Sequence, residues 1–172
     1  DALDIEGLGK RIVHQLVDQG LVRDVSDLYR LTRDELMTLE GFAEVSSENV
    51  IQAIRSSRET SLERFIYALG IPHVGSVAAR DLAEAYGDLD SLMEAGTDEL
   101  TALDGIGPET ASSIRAFFDS PENVIVVKSL LEQGMRIRSE QGKPGPATAL
   151  SGKTICFTGT LASMTRPQAR AM

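Results

Sequence analysis

The chain has 172 residues, 42% of them apolar, with 15 glycines, a single cysteine and a formal net charge of −9. That length and apolar share suit a globular protein of one or two domains and exclude a disordered or fibrous chain. The acidic balance excludes a broad basic surface, Cys156 alone forms neither an internal disulfide nor a cysteine-cluster zinc site, and no apolar run reaches the roughly eighteen residues of a membrane span.

Asp1-Ala2-Leu3-Asp4 has neither the basic nor the apolar part of a secretory signal, and the chain opens in mid-pattern, as a fragment would. The first landmark is Gly7-Leu8-Gly9, a two-glycine turn with an apolar residue at its centre. It returns as Gly41-Phe42-Ala43, His73-Val74-Gly75 and Gly105-Ile106-Gly107, after 34, 32 and 32 residues. A near-constant period implies repetition. Asp34-Glu35-Leu36 and Leu39-Glu40-Gly41 also recur 64 residues later as Asp98-Glu99-Leu100 and Leu103-Asp104-Gly105, so the copied unit reads as a pair of hairpins. Tetratricopeptide arrays share the period, but their Trp, Tyr and Pro landmarks are missing.

After Gly9, Ile12, Val13, Leu16 and Val17 mark one face of a helix that stops at Gly20. Lys10 and Arg11 open it where the helix dipole disfavours cations, so a phosphate there would relieve the mismatch; plain surface solubility explains them equally well. Asp24 to Leu31 and Thr32 to Leu39 read as two short helices, the second opened by a Thr32/Glu35 capping box. At the second turn, alanine replaces the second glycine, which loses access to positive backbone angles, and Glu44 and Glu48 follow. A structural role is expected for Gly41 and Ala43.

Thr60 and Glu63 read as a further capping box, opening a helix that buries Leu62, Phe65, Ile66 and Leu69. At the third turn His73 stands where the first glycine would be, and Ser76 either donates to a phosphate or caps the next helix, capping being the favoured of the two. Asp88 to Ala95 and Thr97 to Leu103 repeat the short-helix pair and lead to the fourth turn. Pro108 then suits a first helical turn, with Ala111, Ile114, Phe117 and Phe118 facing the core. A last helix runs from Ser120 and Pro121 to Gly134, with Val124, Val127, Leu130 and Leu131 packing across the preceding hairpin. Gln141-Gly142-Lys143-Pro144-Gly145-Pro146 reads as a linker, and Leu150 to Leu161 as a strand ending in a glycine turn.

Apolar-centred glycine turns followed by helices resemble helix-hairpin-helix DNA-binding motifs. The stretch from Leu150 resembles the opening of a BRCT domain, with Thr158-Gly159 matching the end of its first strand. Hairpins, linker and Gly-Lys-Thr-Ile-Cys-Phe-Thr-Gly-Thr-Leu, in that order, resemble the C-terminal half of a bacterial NAD-dependent DNA ligase. The resemblance implies an all-α tandem helix-hairpin-helix domain over 1–140, a linker over 141–148 and the truncated α/β start of a BRCT domain over 149–172.

It further implies a parent that is cytoplasmic, uses NAD, magnesium and zinc, and seals 5′-phosphate/3′-hydroxyl nicks in replication and repair. This piece, lacking the adenylated Lys-x-Asp-Gly motif, is expected to be inactive, to carry no cofactor or metal, and to hold nicked double-stranded DNA as a monomer. The residues it places near phosphate are Gly7, Gly9, Lys10, Arg11, Gly75, Ser76, Gly105, Gly107 and Thr110. His14 and His73 stand alone and read as ordinary surface or core histidines. A protein-interaction scaffold, whose acidic faces recruit basic partners, is the reading from another class.

Overall fold

The computed structural model describes residues 2–138. Helix α1 (Lys10–Asp18), a 3₁₀ segment (Val25–Arg30), α2 (Arg33–Met37) and α3 (Glu44–Ser56) form the first half. Strand β1 (Glu59–Ser61) and α4 (Leu62–Ala68) lead into α5 (Ser76–Tyr86), α6 (Leu89–Glu94), α7 (Thr97–Thr101) and α8 (Pro108–Asp119). Helix α9 (Pro121–Glu132) and β2 (Arg136–Arg138) follow. From α2 onward the first set of starts recurs 64 residues later, at 97 for 33 and 108 for 44, so the duplication legible in the sequence is a duplication of structure.

One apolar cluster runs through both halves, from Leu16 and Leu36 through Leu62, Phe65 and Ile66 to Leu82, Leu100 and Ile114, all at most 1% exposed. Burial of that kind is worth roughly 1.5–3 kcal/mol per large side chain, which is what lets helices of five to thirteen residues persist. Close approach depends on small residues one turn into the hairpin helices: Ser47, Ala79 and Ala111 are each fully buried. At the corresponding place in α1 stands Val13, which is exposed, as is Val17; the buried face of α1 is Ile12 and Leu16 alone. Leu131 of α9 is likewise exposed, while Val127 and Leu130 are buried.

The all-α expectation needs correcting, because β1 and β2 pair in parallel, Glu59 opposite Arg136 and Ser61 opposite Arg138. The Arg136 amide donates to the Arg58 carbonyl at 2.7 Å, extending the ladder by one bond. This places Thr60 in a strand, buried and without a hydrogen-bond partner for its hydroxyl, so Ser61 caps α4 instead by accepting from the Arg64 amide. The Thr32/Glu35 box forms as expected.

A further tie joins the C-terminal end to the first half, and another holds the start of β1 against it. Helix α9 packs on both α8 and the 3₁₀ segment, where the Ser129 hydroxyl donates to Ser26 Oγ at 3.0 Å and Ser26 donates on to Asp24. Arg58 stacks over the Tyr29 ring and donates to its carbonyl at 2.9 Å. The expected linker (141–148) and BRCT start (149–172), with Thr158 and Gly159, lie outside the described residues.

Candidate nucleic-acid interface

All four turns follow one backbone plan. The first residue is left-handed, with φ of 83° at Gly7, 86° at Gly41, 66° at His73 and 85° at Gly105. The amide of the central apolar residue then donates three residues back: Leu8 to Ile5, Phe42 to Leu39, Val74 to Ile71 and Ile106 to Leu103, at 3.0 to 3.2 Å. The third residue is extended and serves as helix N-cap, with φ of −80° at Gly9, −134° at Ala43, −85° at Gly75 and −77° at Gly107. Side-chain-bearing residues adopt those angles freely.

The conformational demand therefore falls on the first residue and not, as the sequence reading had it, on the second glycine. Ala43 distorts nothing, and the second turn has the geometry of the others. His73 is the one first residue that is not glycine, and a left-handed angle is uncommon for any residue with a side chain, although histidine is among those that adopt it more often. Replacing His73 by glycine should stabilise the fold by about 0.5–1 kcal/mol, read as a higher denaturant midpoint at unchanged slope.

The helix starts divide into two kinds. Away from the turns five are closed by the side chain of the cap residue: Asp24 accepts from the Ser26 amide at 2.7 Å, Thr32 from Glu35, Ser61 from Arg64, Asp88 from Ser91 and Ser120 from Asn123. The hydrogen bond from the Ser26 hydroxyl is the main reason the Asp24 carboxyl is held below the ordinary range. At α7 the N-cap is Gly96, whose amide donates to Glu99 Oε2 at 2.9 Å. Helices α1, α3, α5 and α8, the four that leave a turn, have no side-chain cap.

Their first-turn amides, aligned with the positive end of the helix dipole, point outward with nothing from the cap residue to receive them. Ser76 is the first residue of α5, with Gly75 as the cap, so the capping role expected for it is not the one it has. Its hydroxyl is exposed beside the open amides. The second turn differs in one respect: the Ala43 amide donates to Ser46 Oγ at 2.8 Å.

Space divides the glycines in the same way. A Cβ on Gly7 would stand 2.7 Å from Val50 Cγ2, so packing forbids it. On Gly9, Gly75 or Gly107 it would meet nothing within 4 Å. Neither backbone angle nor internal packing asks for glycine at those three places. They are exposed, as are Lys10, Arg11 and Gly105, while Thr110 is half-buried.

The hairpins of the first half lean on one another. Gly7 rests on α3 through Val50, and the second turn rests on α1, where Arg11 lies over Gly41 and Gln15 Nε2 donates to the Glu40 carbonyl at 3.5 Å. Between them is a hollow of about 500 Å³ lined by Glu6, Gly7, Phe42, Ser46, Asn49 and Val50. Sequence reasoning missed the contrast between closed and open helix starts, although its signal was present: Asp, Thr or Ser stands before the five helices closed by their cap residue, and Gly or Ala before the four that leave a turn and before α7. The arrangement offers outward hydrogen-bond donors, which suits anion binding. Among the described residues no group of His, Cys, Asp and Glu could hold a metal ion, and no helix is long and apolar enough to cross a membrane.

Residues 1–56 match the family model described as a SAM-like helix-hairpin-helix tandem, and residues 64–127 match the helix-hairpin-helix motif model. With four turns of one geometry between them, the residues matched by these two models form a tandem of helix-hairpin-helix motifs. The chain is also homologous, along its whole length, to proteins named DNA ligase. The DNA ligase of Syntrophobacter fumaroxidans is 48% identical over 173 residues, covering all of this chain and 26% of that protein. That of Trichlorobacter lovleyi is 46% identical over 172 residues, again covering all of this chain and 25% of the relative. That of Levilactobacillus brevis is 44% identical over 171 residues, 98% of this chain and 25% of the relative. The chain thus spans about a quarter of the length of the curated relatives it matches.

Proposed function

We propose that this module grips double-stranded DNA by its backbone phosphates, without reading sequence, as the clamp part of an NAD-dependent DNA ligase that seals nicks in replication and repair. One observation carries the reading: all four helices that leave a hairpin turn keep N-termini without a side-chain cap, a state shared among the described residues only by the five-residue α7, whose cap amide is taken by Glu99, while the other helix starts are closed by their own cap residue. Phosphate contacts of this kind position a protein on a duplex and carry no base information.

The residues assigned to the grip are Gly7, Gly9, Lys10, Arg11, Gly75, Ser76, Gly105, Gly107 and Thr110, the amides of the turns and first helical residues doing most of the work. The ligase chemistry, with its NAD, magnesium and zinc, is assigned to the rest of the parent, and no step is routed through these residues. An anion at a helix start gains about 0.3–1 kcal/mol from the dipole. With a net charge of −9 against it, the isolated module binds weakly and as a monomer.

The test is a titration of a nicked duplex, with two unrelated base sequences, across a range of salt. Log affinity should fall linearly with log salt at a slope of −2 to −4, roughly 0.9 per phosphate engaged, and coincide for the two sequences. A flat salt response would favour the protein-interaction scaffold.

A further inference from the structure

The second turn looks the poorest anion site of the four, because Ala43 puts a methyl group where the others leave space and Ser46 occupies its cap amide. Three observations point the other way. The nearest guanidinium nitrogen of Arg11 lies 3.2 Å from where a Cβ on Gly41 would stand, so this arginine of the first hairpin is laid over the second turn. Arg11 forms no ion pair with any described residue, whereas Arg33, Arg64, Arg80 and Arg115 each pair with a carboxylate. Of the acids around this turn, Glu44, the first residue of α3, is engaged by Arg33 at 2.9 Å.

The duplicated half supplies the contrast. There the fourth turn leans on α5 as the second leans on α1, but the group beside Gly105 is Asp81 Oδ2, at 3.7 Å, and Arg80 is spent on Asp81. The position matching Arg11, the second residue of α5, is Val77. The first half has therefore a free cation over its second turn, and the other half has a carboxylate.

We propose that Arg11 is a phosphate ligand of the second turn rather than of its own, so that hairpins one and two build a single composite site: α1 supplies the charge and the turn before α3 supplies the seat. The ligand is a phosphodiester of the duplex, and the proposal rests on the DNA-grip reading above. The guanidinium replaces the donor that Ser46 withdraws, with the added strength of a charge-assisted bond. Gln15, one helical turn on, holds α1 against the Glu40 carbonyl and keeps the guanidinium in place.

The experiment is a double-mutant cycle on nicked-duplex affinity at low salt, using Arg11→Gln and Ala43→Asp in the whole chain. Aspartate is a favoured N-cap, so Ala43→Asp keeps or raises stability while filling the turn with its own carboxylate. Arg11→Gln alone should weaken binding about three- to tenfold and reduce the salt slope by about one. In the Ala43→Asp background the same substitution should change affinity less than twofold, because the seat is already taken. An undiminished effect of Arg11→Gln in that background overturns the composite site and returns Arg11 to the first turn. A native chain that shows no salt-dependent duplex binding overturns the grip reading itself, and this proposal with it.

Discussion

Replacing Gly107 by valine should weaken nicked-duplex binding by about tenfold while leaving the fold intact. Valine does not break the turn, because Gly107 is extended, with φ −77° and ψ 169°, and a Cβ there meets no atom within 4 Å. Extended geometry is also what a residue before proline adopts, and Pro108 follows. Valine is a poorer N-cap than glycine by up to about 1 kcal/mol, and removing glycine recovers about 0.4–1 kcal/mol by restricting the unfolded chain, so the two nearly cancel. Outside the protein there is no such cancellation. The branched side chain stands between the open amides and an approaching phosphate, and one charge-assisted hydrogen bond lost is worth about 1.5 kcal/mol, close to tenfold in affinity. Thermal unfolding and duplex titration on the same sample separate the effects. Unchanged affinity and salt slope with unchanged stability would remove the fourth turn from the grip.

How far the sequence reveals this molecule depends on the range of the forces involved. Caps made by neighbours in the chain, such as Thr32 with Glu35 or Ser120 over Asn123, are legible because both partners lie within three residues. The 64-residue duplication is legible because glycine turns and apolar spacing repeat together. The parallel ladder is not: Glu59-Thr60-Ser61 and Arg136-Ile137-Arg138 show no run of apolar alternation, and each becomes a strand only because the other is brought beside it across 77 residues. That pairing also moved the cap of α4 from Thr60 to Ser61.

At the candidate site, turn positions are legible and turn angles are not. A glycine in sequence does not say whether it serves a left-handed angle, as at Gly7, or leaves space outside, as at Gly107. Arg11 shows the same limit, since its sequence neighbours are Gly9 and Lys10 but its spatial neighbour is Gly41, thirty residues on.

Truncating Leu130 to alanine should cost about 2–5 kcal/mol, the range for emptying a leucine-sized space in a core. Leu130 is 3% exposed on α9, the helix that packs on α8 of the second half and on the 3₁₀ segment of the first. Typical domains have only about 5–15 kcal/mol to lose, so the variant should be visibly less stable. The informative part is where the loss appears. Beside Leu130, Ser129 bonds to Ser26, whose hydroxyl in turn serves Asp24, and past Gly134 the chain pairs with β1 next to Arg58, which itself holds Tyr29. A lesion in α9 therefore loosens every tie that joins the C-terminal end to Val25–Arg30. Amide exchange should accelerate in the 3₁₀ segment and at β1 together with α9, and unfolding should remain a single transition. Exchange confined to α8, α9 and β2, with the first half still protected, would mean that the two hairpin pairs unfold independently. In that case a clamp made of all four turns would need the DNA itself to hold its halves in register.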